Sequence, residues 1–270
     1  MSIAAHKSVR LLHSLCQAIG AMILHFCGAV GALTHFIYES IKAVLMPPHY
    51  PRHIVRQFID IGYYSLPVVG LTALFTGMVL ALQSYTGFAR FNAEGAVASV
   101  VALSVTRELA PVLAGLMVAG RIGASMAAEI GTMKVTEQLD ALRTLSTNPF
   151  QYLVAPRLLA GTIMLPLLVL IADIIGIFGG YMVGVYKLNF NASTYLKQTW
   201  DFLQYMDVMS GLAKAAVFGF IVALMGCYHG YNSGRGAQGV GRATTNAVVA
   251  SSILILIFNY LLTQAFFAAN

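Results

Sequence analysis

Two long stretches of this chain carry no charged side chain at all. Residues 61–89 contain none, and neither do residues 244–270. About 20 apolar residues span the hydrocarbon core of a bilayer. No water is available there to satisfy backbone N–H and C=O groups, so such runs must hydrogen-bond within themselves as helices. The other spanning structure, a β-barrel, needs short alternating segments, and these are absent. Composition points the same way. The 270 residues are 58% hydrophobic and only 10% charged, against roughly 25% charged in a soluble domain. The expected fold is an all-α integral membrane protein.

The pattern of runs and breaks sets the expected organisation. An N-terminal stretch at 9–38 is interrupted by His13, Gln17, His25 and His35. It reads as an amphipathic helix lying in the membrane interface rather than as a cleaved signal. Pro47, Pro48 and Pro51 end it. Five spans follow, near residues 58–85, 96–119, 158–186, 208–229 and 244–268, with Arg107 and Glu108 in the middle of the second. The whole chain, 1–270, is expected to form one unit: an interfacial region at 1–50 and a transmembrane core at 51–270.

The net charge of +6 is not arranged for nucleic acid, because the basic residues form no stripe or cluster. They orient the protein instead. Lys7, Arg10, Lys42, Arg52, Arg56, Arg121, Lys134, Arg143, Arg157, Arg235 and Arg242 fall on one side of the expected spans. Arg90, Lys187, Lys197 and Lys214 fall on the other, with Lys214 close enough to the outer interface to snorkel. An excess of eleven over four predicts a cytoplasmic N-terminus, and five spans put the C-terminus on the opposite side. Tyr195, Trp200, Phe202 and Tyr205 fit an outer aromatic belt.

Small residues recur at every fourth position, as Gly176, Gly180 and Gly184 and again as Gly226, Gly230 and Gly234. Such faces let membrane helices approach closely, either within one subunit or across a dimer. Several chemistries are disfavoured. Gly234, Gly236 and Gly239 spell G-x-G-x-x-G, but a membrane helix precedes them and no acidic residue follows, so a cytoplasmic turn is expected. There is no Walker A sequence, no H-E-x-x-H and no G-x-S-x-G. Cys16, Cys27 and Cys227 are isolated, as small apolar fillers would be.

The informative charges lie inside the spans. Arg107 and Glu108 each cost on the order of 2.5–3.5 kcal/mol on insertion scales. Adjacent residues point about 100° apart on a helix, so the two cannot neutralise each other face-on. They either bridge neighbouring helices or meet a lipid headgroup or a cavity, and a guanidinium grips phosphate with two hydrogen bonds. Pro111, one turn on, loosens the backbone there. Asp173 is a second intramembrane acid, either hydrogen-bonded for packing or functional. Residues 121–148 are too polar to span and too apolar for a free linker. They suit a short cytoplasmic helix that docks into a partner's groove or rests on the membrane.

Several motifs resemble those of the MlaE/YrbE permeases. They are Arg107-Glu108-Leu109-Ala110-Pro111-Val112, Ala119-Gly120-Arg121, Ala128-Glu129-Ile130-Gly131, Val135-Thr136-Glu137-Gln138-Leu139, Pro156-Arg157, Leu165-Pro166-Leu167 and Gly241-Arg242-Ala243-Thr244-Thr245. The match runs in order from about Arg56 to the C-terminus, whereas the first fifty residues match only in character. The resemblance implies a homodimeric permease of an ABC transporter in the Gram-negative inner membrane, moving phospholipid between inner and outer membranes to maintain outer-membrane lipid asymmetry. It implies an MlaF-type ATPase and an MlaB-type STAS protein on the cytoplasmic side, and an MlaD-type MCE hexamer in the periplasm, which is then the side of the C-terminus. It implies no cofactor in this chain, with ATP and Mg bound by the ATPase and phospholipid as substrate. By position, Leu80, Phe91, Arg107, Glu108 and Leu109 would line a lipid pocket at the dimer interface, with Phe91 replacing a tyrosine of some relatives; Leu80, Phe88 and Phe91 would supply its apolar side beside Arg107. Glu129, Lys134, Thr136, Glu137, Gln138, Leu139 and Asp140 would form the helix that couples to the ATPase. Three other readings remain open: an ion-coupled secondary transporter using Asp173 or Glu108, a non-transporting anchor for a periplasmic ring, and an intramembrane enzyme, for which no nucleophile–base pair or metal set is visible.

Overall fold

The computed structural model describes residues 2–48, 50–91 and 93–267, without the side chains of residues 2–16, 18–19, 25–26 and 91. Eleven α-helices follow one another among these residues, with no strand. They are α1 (Ser2–Leu45), α2 (Pro51–Ile61), α3 (Leu66–Phe88), α4 (Val97–Ser104), α5 (Ala110–Val118), α6 (Ala124–Val135), α7 (Gln138–Thr144), α8 (Ala155–Tyr186), α9 (Ala192–Phe202), α10 (Tyr205–Tyr231) and α11 (Gly236–Phe267). The chain is an all-α integral membrane protein. Six helical stretches are long and apolar enough to cross a membrane. Five coincide with the expected spans, and the sixth, Gly20–Leu45 in α1, qualifies by length and composition while being the least buried.

Several helices join end to end. A 3-10 turn at Tyr63–Ser65 links α2 to α3. Helices α4, α5 and α6 form one rod interrupted by π turns at Val105–Leu109 and Ala119–Gly123. The rod therefore continues to Val135, well past the expected end of the second span near residue 119. It stops at Thr136–Glu137, where Glu137 adopts the left-handed conformation with φ 59°. Residues 121–135 and 138–144 are thus helical, in two pieces, while 145–148 are not. The first half extends the span because Met126, Ala127 and Ile130 are buried, which gives a core-facing stripe at helical spacing.

Close backbone approach holds the bundle together. Helix α8 lies at its centre, packed on α3 along one face and on α10 along another. A Cβ atom added at Gly77 would stand 1.9 Å from the Gly176 carbonyl oxygen, and one at Gly219 would stand 2.1 Å from the Gly161 carbonyl oxygen. The two glycine stripes are used within the subunit. Gly176 meets Val105 and Ala73, while Gly180 and Gly184 receive Tyr195. Gly226 and Gly230 rest on Gly123, Met126, Ala127 and Ile130 of the rod. The glycine run 234–239 makes the tight turn between α10 and α11, with Gly236 at φ +72°.

The bundle has two distinct ends. At one, Phe36 of α1 packs against Phe150, Tyr228 and Tyr231, and Arg143 of α7 donates to the Tyr231 hydroxyl. At the other, Asn191 caps α9 by accepting from the Ser193 and Thr194 N–H groups. Tyr195 is buried there with no hydrogen-bond partner for its hydroxyl among the described residues. Burial pushes this phenol up to about 12, so it stays neutral and serves as an apolar wedge. Trp200, Phe202 and Tyr205 stay exposed nearby, as a belt of interfacial aromatics would be.

Because the spans meet through bare backbone, an added side chain must force them apart. Gly219→Val should lower stability by about 1–3 kcal/mol, measured by thermal unfolding in detergent. Gly28→Ala, where no atom lies within 4 Å, should leave it unchanged or slightly raised. Equal effects at the two positions would contradict this packing.

Candidate functional site: a charged belt on three helices

The π turn at Val105–Leu109 presents Arg107 and Glu108 in diverging directions, and each finds a separate partner. The Arg107 Nε donates to Asp207 Oδ1 at 2.8 Å, and its Nη2 lies 2.6 Å from the same oxygen. The other Asp207 oxygen accepts from the Gln204 N–H at 2.9 Å, which closes the capping box that starts α10. The Arg107 guanidinium also stacks 4.4 Å above the ring of Phe267.

Glu108 is held by two helices. Its Oε1 accepts from Lys214 Nζ of α10 at 2.7 Å, and its Oε2 accepts from Asn259 Nδ2 of α11 at 2.9 Å. Lys214 uses all three of its N–H bonds: on Glu108, on the Arg107 carbonyl at 2.9 Å and on the Thr263 hydroxyl at 2.8 Å. Thr263 in turn can donate to Glu108 or to the Asn259 carbonyl. The Arg107 carbonyl is free for Lys214 for a local reason. In a regular helix it would bond the N–H four residues on, but that residue is Pro111, which has none.

Burial divides this belt into a hidden side and an open side. Lys214 is completely buried and Asp207 nearly so, whereas the Arg107 and Glu108 side chains are 35% and 37% exposed. The belt also lies nearer the α9 end than the middle of the rod. Asp207 is the third residue of α10, and Thr263 stands in the last two turns of α11. Lys214 does not snorkel to an interface as expected from its position in the sequence. It is an internal counter-ion, because the Glu108 carboxylate, the Arg107 carbonyl and the Thr263 hydroxyl on neighbouring helices supply acceptors that the surface would otherwise supply.

The structure brings only some of the expected lipid-pocket residues together. Leu109 lines a narrow apolar groove between α3 and α5, with Thr72, Thr76, Leu113 and Met117. Leu80 and Phe88 are partly buried and packed against the core on α3, outside that groove. The Phe91 side chain lies outside the described residues. Asp173 is buried with no hydrogen-bond partner for either carboxylate oxygen among the described residues.

The expected coupling residues collect at the other end. Glu129 pairs with Arg157 Nη2 at 2.7 Å, and Arg157 is itself buried and donates to the Leu153 carbonyl. Lys134, Thr136, Glu137 and Gln138 are exposed around the α6–α7 break. Leu139 is buried and anchors α7, and Asp140 faces solvent beside Arg143. The result is an exposed polar knuckle on a fixed apolar root.

Asp207, Lys214, Asn259, Thr263 and Phe267 were not singled out from the sequence as belt residues. The last three carried a usable signal: they recur at every fourth position, so they form one stripe on α11.

The Permease MlaE family profile matches residues 54–265. A probable ABC transporter permease protein of Rickettsia felis is 59% identical over 257 residues, covering 95% of this chain and 99% of the relative. The intermembrane phospholipid transport system permease protein MlaE of Haemophilus influenzae is 35% identical over 260 residues, covering 94% and 98%. The Arabidopsis thaliana chloroplastic protein TRIGALACTOSYLDIACYLGLYCEROL 1 is 36% identical over 216 residues, covering 80% and 62%.

The Glu108–Lys214 pair should show strong coupling. Glu108→Gln leaves a fully buried ammonium without its carboxylate and should cost about 3–5 kcal/mol. The double variant Glu108→Gln with Lys214→Met should recover most of that loss. Thermal unfolding of the four proteins in detergent reads the cycle, and simple additivity would contradict the pairing.

Proposed function

Since this chain belongs to the MlaE permease family, we propose that it moves phospholipid between the inner and outer membranes of a Gram-negative cell as the spanning subunit of an ABC transporter, in support of outer-membrane lipid asymmetry. Two copies pair and enclose the lipid between them. The headgroup phosphate lies against the open edge of Arg107, and the acyl chains run along apolar side chains of α3 and α5, with Leu80, Phe88, Phe91 and Leu109 in the wall. The motor is a separate ATPase of the MlaF type, which binds ATP and Mg and grips the α6–α7 knuckle from Glu129 to Asp140. An MlaB-type STAS protein joins it on the cytoplasmic side, and an MlaD-type MCE hexamer receives or delivers lipid in the periplasm. The chain lies in the inner membrane, with the basic α7 end and the N-terminus cytoplasmic and the C-terminus periplasmic.

The observation that supports this most is the half-open belt. Taking both members of an ion pair out of water costs several kcal/mol per ion, which their attraction offsets only with excellent geometry. Here the counter-ions Asp207 and Lys214 are sealed, and the outward edges of Arg107 and Glu108 are left accessible. Fixed partners on one side and an open face on the other would orient a guanidinium toward a headgroup at little reorganisation cost.

ATP binding would close the partner ATPases, move the knuckle and squeeze the chamber so that lipid leaves it. One observation favours a second reading. Asp173 is a buried carboxyl group without a hydrogen-bond partner among the described residues, as an ion- or proton-coupled site would be. Transfer of fluorescent phospholipid by the copurified complex in proteoliposomes separates the two. Transfer should stop when the ATPase is inactivated, and the double variant Arg107→Ala with Asp207→Asn, which removes the guanidinium without stranding a buried carboxylate, should abolish it while the complex still assembles. Transfer that persists without ATP hydrolysis under an ion gradient would favour the Asp173 reading. Unchanged transfer in the double variant would overturn the role given to the belt.

A further inference from the structure

The Ala119-Gly120-Arg121 motif has no part in the belt or the knuckle, yet its arginine spans two breaks in the helices. Arg121 leaves the rod from the π turn at Ala119–Gly123. Its Nη1 donates to Ser65 Oγ at 2.7 Å and to the Asp60 carbonyl at 3.2 Å, and its guanidinium lies 5.9 Å from the Tyr64 ring centroid. These contacts all fall on the last turn of α2 and the 3-10 turn at Tyr63–Ser65, where the first span changes from α2 to α3. Irregular turns inside helices are common hinge points. One side chain therefore ties the break in the first span to the break in the second.

The space on either side of this tie differs. Toward the belt, α3 and α5 face each other across the narrow apolar groove that includes Leu109. Toward the knuckle, α2 and α6 are parted by a polar cleft of about 730 Å³, lined by Arg56, Gln57, Ser125, Glu129 and Thr132 among others. The cleft keeps α2 and α6 apart there, with Glu129 of α6 paired to Arg157 of α8 instead. Ser65 is buried and Gly62 beside it is pressed against Met164 of α8, so the acceptor end of the tie sits in a packed turn at the start of α3.

We propose that Arg121 is a positioning residue that acts as the pivot between the first two spans. Displacement of α6 and α7 at the cleft is transmitted through it to α3, and so to the wall of the lipid chamber. Without the tie, α6 can move while α3 stays behind. This inference rests on the transport reading above, in which the knuckle receives the motion of the ATPase.

The test is lipid moved per ATP hydrolysed by the copurified complex in proteoliposomes. Arg121→Ala should lower that ratio by about fivefold or more, the ordinary size of an allosteric coupling, while ATP hydrolysis stays close to wild type. Arg121→Lys, which keeps the charge, should restore part of it. Ser65→Ala, which removes only the hydroxyl acceptor, should lower the ratio in the same direction, and it carries the test if Arg121→Ala does not assemble. An unchanged ratio would overturn the pivot, as would a parallel fall of ATP hydrolysis and transfer. A wild-type complex that moves no lipid under ATP would instead sink the transport reading, and the pivot with it.

Discussion

An ammonium group with no solvent contact has to be satisfied wholly by the protein, and in this fold Lys214 sets the terms for the helices around it. Its three bonds reach Glu108, the Arg107 carbonyl and Thr263, so one side chain joins α10 to the rod and to α11. A missing N–H at Pro111 makes the carbonyl available, and a π turn turns Arg107 and Glu108 toward different neighbours. Asp207 completes the arrangement while capping its own helix. Two ion pairs are thereby built side by side near one end of the bundle, each with its counter-ion hidden and its other member partly open.

The rest of the bundle is shaped so that this belt can form. Lipid tails are as apolar as leucine, so the helices gain little from hiding apolar side chains and must associate through close contact. Glycines at 77, 161, 176 and 219 bring backbone against backbone. That contact fixes where α3, α8 and α10 lie, and α10 carries Asp207 and Lys214 into reach of the rod. Exposed Leu71, Phe75, Val79, Ile253, Leu256 and Ile257 cover the outside. They leave two faces, on α3 and α11, greasy enough for the bilayer or for a second copy.

Much of this was legible in the sequence. Charge-free runs located the spans, because the bilayer leaves the backbone no alternative to helix. The spacing argument that separates Arg107 from Glu108 anticipated that they do not neutralise each other and that at least one turns to another helix, a cavity or a headgroup. The partners themselves were harder to see. Asp207 sits in a polar stretch that reads as a loop, and Lys214 reads as an interfacial lysine, since only the tertiary fold shows which acceptors lie opposite. The rod's extension to Val135 was missed because Arg121, Glu129 and Lys134 make that stretch look too polar to continue a span. In the fold these charges have Ser65, Arg157 and solvent beside them, while Met126, Ala127 and Ile130 take the core face. For the lipid wall, family position named Leu80 and apolar character named Phe88, and both pack on α3 away from the groove of a single chain.

The account depends on the open edge of the belt facing a chamber between two copies. A high-resolution cryo-EM map of the copurified complex in lipid nanodiscs tests that directly. Acyl-chain density between the two permeases, with a headgroup against Arg107, is the expected result. A belt closed off by side chains of the second copy, with no chamber between them in nucleotide-free or nucleotide-bound states, would contradict it.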